Sequence, residues 1–512
     1  MRLRPATGQP RLAWRAHVGL ALAVGLFSSG LAALVAVTLL IDAATIPACE
    51  EANPTPPDLE AAPFAFDPEA RARTFVQAMA GSEFQAAYEM VALEEVGSTT
   101  LCDVDLEGFW RTVVEGRTTL TEVGRFSPLV YSAVYDYLSV RLRLTLSSDD
   151  GSDQADREAY VEVLLTPDGR IASLSFFSVL TELGPPREMP SPPYAAPGSF
   201  EELQVTVGQA PWELGGTLTM PRGVGPFAGV VILGPHDRDG TVGANKRDRD
   251  LAQGLAAHGV ATLRFDTRSE VYALDVARQP VFTMAEESVD DALAAVELLH
   301  QTSRVDPANI YLLGIGYSSF AAPRVAHLDD GLAGLILISP SAGLIWDWAW
   351  RAHQERAEVD EVVTEQEAHE VDVLKARAAT IAAVAGGTAP PPDLGVRIDY
   401  HLNLVTYRPE RASRTLRMPI LALFGDRDGV VPIEDHEAWI SILLGRPDAA
   451  IRVYEGHSHG MFDVRTMRGP ELRLEGHVDE EVIIDIAAWI EGDWPRQSCR
   501  DGDAWYAGCH GG

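Results

Sequence analysis

The seventeen-residue stretch 284–300, MAEESVDDALAAVELLH, and the short run Asn309-Ile310-Tyr311-Leu312-Leu313 that follows it decide the fold class. Val289, Leu293, Val296 and Leu299 recur at helical spacing and make one apolar stripe. Glu286, Glu287 and Asp290 crowd the first turns, where the positive end of the helix dipole favours acids. The run 309–313 has no polar face, as expected of a strand covered on both sides. The same alternation extends outward in both directions, with strands expected at 214–220, 229–233, 260–265, 332–338, 420–424 and 451–455. Apolar strands alternating with amphipathic helices predict an α/β domain over 201–495, a mostly parallel sheet with helices on its faces. Residues 339–418 are too many for a connecting loop, and Trp346, Trp348 and Trp350 precede an acidic helical run there. We read about 340–418 as a cap over the sheet edge.

Upstream the pattern changes. Proline-rich stretches at 47–63 and 185–197 read as linkers, spanning 47–66 and 183–200, because proline runs favour extended backbone. Between them, Phe75, Met79, Phe84, Ala87 and Tyr88 suggest one helix and Phe109, Trp110, Val113 and Val114 a second. Val140, Leu142, Leu144 and Leu146 then alternate with Arg141 and Arg143, and Asp168-Gly169 sits between two apolar runs as a hairpin signal. Helices followed by strands predict a small α+β domain over 67–182.

The chain of 512 residues suits several domains, and 46% hydrophobic with 22% charged residues is ordinary globular composition. A formal net charge of −33 repels a phosphate backbone and excludes nucleic acid as a partner. The segment 18–41 carries no charge and exceeds the ~20 residues a membrane helix needs. Arg2, Arg4, Arg11 and Arg15 precede it, so residues 1–46 read as a single-pass anchor with the bulk of the chain on the extracytoplasmic side of the cell membrane. Ile46-Pro47-Ala48-Cys49 offers a cleavage site as the alternative. Cys49, Cys102, Cys499 and Cys509 fit an oxidising compartment. Of the three pairings open to four cysteines, Cys49 with Cys102 and Cys499 with Cys509 staple the termini, the latter within the tail 496–512. No Cys or His spacing indicates zinc, and no cofactor is expected.

Several motifs carry a family resemblance. They are Gly234-Pro235-His236-Asp237-Arg238-Asp239-Gly240 with Asn245-Lys246, Arg264-Phe265-Asp266-Thr267-Arg268, Asp306-Pro307 and Ala322-Pro323-Arg324. With them the chain resembles the α/β-hydrolase family, in particular bacterial exported esterase-like and serine-peptidase-like hydrolases. These are preceded by a small α+β module of unknown function, which 67–182 also resembles. The resemblance implies a nucleophile on a strained strand-to-helix turn, then an acid, then a histidine. It matches the acid onto Asp428 in Gly425-Asp426-Arg427-Asp428-Gly429 and the histidine onto His459 in Gly456-His457-Ser458-His459-Gly460.

The nucleophile position falls on Gly316, in Gly314-Ile315-Gly316-Tyr317-Ser318. Glycine tolerates the backbone of that turn but has no oxygen to attack with. The His-Gly the family carries ahead of its Gly-Pro-His-Asp-Arg-Asp is also missing, since Val230-Val231-Ile232-Leu233 runs into Gly234. Ser318 and Ser319 are the substitutes to test, and Tyr317 is worse placed. His236, Asp237, Arg238 and Asp239 suit a salt network at a pocket mouth. His457 and His459, one residue apart, point to opposite sides of an extended backbone, so one of them serves. A metal held by them with His236 and Asp237 has no spacing in its favour. The expected function is therefore a catalytically impaired or ligand-binding pseudo-hydrolase, taking a small-molecule ligand or acyl substrate. A protein partner would meet the cap or the small domain. The alternative is an active serine hydrolase for esters or amides using Ser318 or Ser319 with His459 and Asp428.

Overall fold

The computed structural model describes residues 63–91, 106–114, 119–125, 129–132, 136–147, 157–177, 190–233, 247–342, parts of 372–388, 397–465 and 476–493. It also describes two short strands, Val18–Leu20 and Val37–Leu39, which pair antiparallel. These six residues belong to the segment expected to be a membrane helix, and the rest of 18–41 lies outside the described residues. Among the described residues no helix is long and apolar enough to cross a membrane. All four cysteines, the motif 234–246 and the tryptophans of the cap lie outside the described residues.

The small domain opens with α1 (Pro68–Ala80), capped by Asp67, whose carboxylate accepts the Ala70 N–H at 3.0 Å. The expected helix through Tyr88 breaks at Gly81 and Ser82, the latter at φ +61°, and resumes as the short helix Phe84–Tyr88. Next come α2 (Leu106–Val114), β1 (Thr119–Arg125), β2 (Val130–Ser132), β3 (Tyr137–Ser147), β4 (Arg157–Leu165) and β5 (Ile171–Phe177). The sheet is antiparallel in the order β1-β3-β4-β5, with β2 also on β3. Gly169, at φ +85°, turns the β4–β5 hairpin. Leu138, Val140, Leu142, Leu144 and Leu146 share the core with Phe75, Val76 and Met79 of α1.

The domain does not hang free. Arg278 donates to the Phe64 carbonyl at 2.6 Å, and Tyr131 meets Phe282 edge-on with ring centroids 6.5 Å apart. The second proline-rich stretch is likewise more than a spacer. Tyr194 donates to the Val478 carbonyl at 2.7 Å and Ala195 is fully buried, because side chains between the prolines still find apolar surface.

The large domain runs β6 (Phe200–Val207), β7 (Leu214–Pro221), β8 (Phe227–Leu233), α3 (Arg247–Ala257), β9 (Ala261–Phe265), α4 (Asp290–His300), β10 (Val305–Ile315) and α5 (Ser318–Leu328). It continues with β11 (Gly334–Ile338), α6 (Ile398–Val405), β12 (Ile420–Gly425), α7 (Ile433–Leu443), β13 (Ala449–Tyr454) and α8 (Glu480–Glu491). The eight strands lie in the order β6-β7-β9-β8-β10-β11-β12-β13. Pairing is antiparallel as far as β9 and parallel beyond it. This mixed sheet with flanking helices is an α/β-hydrolase fold.

Alternate residues of the central strands feed two cores. Val230, Ile232, Leu313, Ile336 and Leu421 pack with Leu251 and Leu255 of α3 and Val482, Ile483 and Ile486 of α8. Val231, Leu312, Leu335, Ala422 and Phe424 pack with Ala292, Val296 and Leu299 of α4, Phe320 of α5 and Trp439 of α7. Burial on both faces is why these strands read as unbroken apolar runs. β6 escaped the sequence reading because an edge strand needs no such run: Glu202, Leu203, Gln204 and Thr206 are exposed. The helix expected over 284–300 is also modified, since Ala285–Val289 forms a π-turn before α4 begins.

Candidate active site

Gly316 is the turn between β10 and α5, at φ +53°, a left-handed backbone that side chains adopt only under strain. Its N–H donates to the Ile338 carbonyl at 2.9 Å, which fixes the turn above β11. Gly314 has a different reason to be glycine. A Cβ there would lie 2.8 Å from the Ser319 Cα and 3.1 Å from the Ala322 Cβ, so the bare backbone lets α5 sit close against β10.

Asp428 and His459 arrive on the loops after β12 and β13. The two loops hold each other. Asp426 accepts the Gly456 N–H at 2.6 Å, and Arg427 N–H donates to the His457 carbonyl at 2.9 Å. Asp428 is almost wholly buried, and its Oδ1 accepts the N–H groups of Val430 and Val431, both at 2.8 Å. Its Oδ2 stands 3.0 Å from His459 Nδ1. Burial alone would push this carboxyl up. The charge of His459, its hydrogen bond and the close approach of His436 outweigh it and hold the group well below the usual carboxylate range.

The opposite edge of the His459 ring faces the elbow. A Cβ built on Gly316 would lie 2.7 Å from Nε2 and 2.8 Å from Cε1, closer than real Cβ atoms come. Among the described residues Nε2 makes no hydrogen bond, and 14% of the side chain remains exposed. Gly316, His459 and Asp428 are thus brought together in the order the sequence motifs predict.

Ser318 and Ser319 are not brought to the imidazole. Ser318 Oγ donates to the Leu233 carbonyl and accepts the Ile315 N–H at 2.8 Å, clipping the carboxyl ends of β8 and β10 together. Ser319 is fully buried; its Oγ donates to the Gly316 carbonyl and accepts the Ser341 N–H at 3.3 Å. The first turn of α5 aims both hydroxyls at backbone groups and not at His459. His457 points elsewhere too, with Nε2 3.1 Å from Asp479 Oδ2 and Nδ1 3.0 Å from the Glu455 carbonyl.

Two groups near the site went unread in the sequence. His436, in the first turn of α7, is buried with its ring against Phe424, and its Nε2 comes within 3.4 Å of Asp428 Oδ2. The acid therefore lies between two imidazoles. The second group joins the π-turn to the elbow: Tyr400 of α6 donates to Glu287, and its hydroxyl is 2.8 Å from that of Tyr317, the residue after Gly316. Ser269 donates to the other Glu287 oxygen at 3.4 Å. Burial pushes the Glu287 carboxyl up to about 7. Neither group has a local motif, since each contact joins separate elements.

No family model matches the chain. It is 29% identical over 432 residues to esterase EstD of Thermotoga maritima, covering 83% of this chain and 95% of that protein. Among solved structures, Est1E from Butyrivibrio proteoclasticus is similar over 57% of this chain and 98% of its own, with 17% identity and a TM-score of 0.36. Pyrococcus horikoshii acylaminoacyl peptidase is similar over 71% of this chain and 55% of its own, with 14% identity and a TM-score of 0.39.

Proposed function

We propose that this α/β-hydrolase is a membrane-anchored, extracytoplasmic protein that does not form an acyl-enzyme and whose cleft binds a small acyl or carbonyl ligand. One observation carries the reading: the ring edge of His459 faces the bare backbone of Gly316. Where a serine nucleophile is removed from such a site, turnover falls by ~10⁶. The commitment of the Ser318 and Ser319 hydroxyls to backbone groups supports it further. The anchor rests on the uncharged segment 18–41 behind four arginines, and the extracytoplasmic site fits cysteines expected to pair.

A serine hydrolase acting through Ser318 or Ser319 remains the rival. It draws on the assembled His459–Asp428 pair and on the likeness to an esterase. Treating the full chain in membranes with a fluorophosphonate probe separates the two. We expect no labelled serine; a label on Ser318 or Ser319, lost on its replacement by alanine, overturns the proposal. Sedimentation of the chain with membranes after a carbonate wash checks the anchor.

A further inference from the structure

We infer that His459 works as a general base on water, giving slow, direct hydrolysis of esters with good leaving groups and no covalent intermediate. The inference rests on the absence of an acyl-enzyme proposed above and adds an activity to it.

Three observations point the same way. The imidazole is oriented for base chemistry, because Nδ1 is held by Asp428 at 3.0 Å while Nε2 makes no hydrogen bond among the described residues. The carboxylate that orients it is itself over-determined, by two backbone N–H groups on one oxygen and by His459 and His436 on the other. Burying a carboxylate is costly unless partners offset it, and a buried carboxylate holding Nδ1 of an imidazole is the arrangement that orients a general base. Finally, the 14% of the His459 side chain left exposed gives water access that the buried His436 and His457 lack.

The step balances without a protein nucleophile. His459 Nε2 takes a proton from water as the water oxygen bonds to the ester carbonyl carbon. The adduct collapses, the bond from carbonyl carbon to the leaving oxygen breaks, and the imidazolium returns its proton to that oxygen. Acid and alcohol leave, and His459 is neutral again. His459 is the catalytic residue and Asp428 a positioning residue, which keeps the ring in the tautomer with Nε2 unprotonated.

The test is hydrolysis of p-nitrophenyl acetate by the full chain, followed from the first turnover, before and after fluorophosphonate treatment. We expect linear release of nitrophenol with no burst, unaffected by the fluorophosphonate. The rate should fall at least about tenfold in His459→Ala and in His459→Gln, given the ~10²–10⁴ a general base contributes. Asp428→Asn should lower the rate and alter its pH profile, which a purely structural carboxylate would not do. Unchanged rates in both His459 variants overturn this inference and leave the proposed function standing. A burst abolished by the fluorophosphonate overturns both.

Discussion

His459 Nε2 stands 2.7 Å from the point that a Cβ on Gly316 would occupy. The imidazole has settled against the elbow more closely than a side chain there would allow. It is the far end of a side chain rather than backbone, so it can retreat, but only by straining its bond to Asp428.

Gly316→Ser should therefore do two things. The left-handed backbone at φ +53° costs a non-glycine residue about 1–2 kcal/mol, to be seen as a lower denaturation midpoint. The new hydroxyl, once the ring backs away, should give fluorophosphonate labelling at position 316 and a nitrophenol burst. Both should vanish in the double variant with His459→Ala. A labelled serine with no gain in turnover would place the defect in oxyanion binding instead.

Asp428→Asn should destabilise the fold by roughly 1–3 kcal/mol at neutral pH, because an amide has one acceptor oxygen where the carboxylate uses two, leaving either the Val430 and Val431 N–H groups or His459 Nδ1 without its partner. The folded protein holds this carboxyl below its ordinary value of 3.8, so its contribution is fully present above that pH and is lost as pH falls through the range below it. Urea midpoints of the two proteins should differ most near pH 7 and converge as the pH drops below about 4.

Glu287 should act with the opposite sign. Its carboxyl is pushed up from 4.5 to about 7 in the fold, so the neutral acid is the comfortable state. Stability should be greatest below pH 4.5 and be lost as pH rises through 7, by at most roughly 3 kcal/mol. Glu287→Gln does not titrate. Denaturant midpoints at pH 5 and pH 8 should move less in that variant than in the wild type.

Ser318→Ala removes a hydroxyl that joins the ends of β8 and β10. It should cost roughly 1–3 kcal/mol by leaving the buried Leu233 and Ile315 groups short of a partner. Nitrophenyl ester hydrolysis per folded molecule should be unchanged. A selective loss of activity at unchanged stability would return Ser318 to the chemistry.

The sequence by itself determined the central strands of the sheet, because burial on both faces of a parallel strand writes an apolar run into consecutive residues such as 309–313, and the helix over 284–300. It also determined the Asp168-Gly169 hairpin, whereas the positions Gly316, Asp428 and His459 follow from the family resemblance and not from local patterning. Only the tertiary structure decided what the neighbouring hydroxyls and imidazoles do. Ser318 meets a carbonyl 85 residues away, and Tyr400 meets a carboxyl 113 residues away. The approach of His436 to Asp428 depends on how the first turn of α7 folds under the acid loop. Local patterning reports the period of an element and the face it buries. Strand order and register, which the packing of the whole sheet selects, decide which distant groups meet across it.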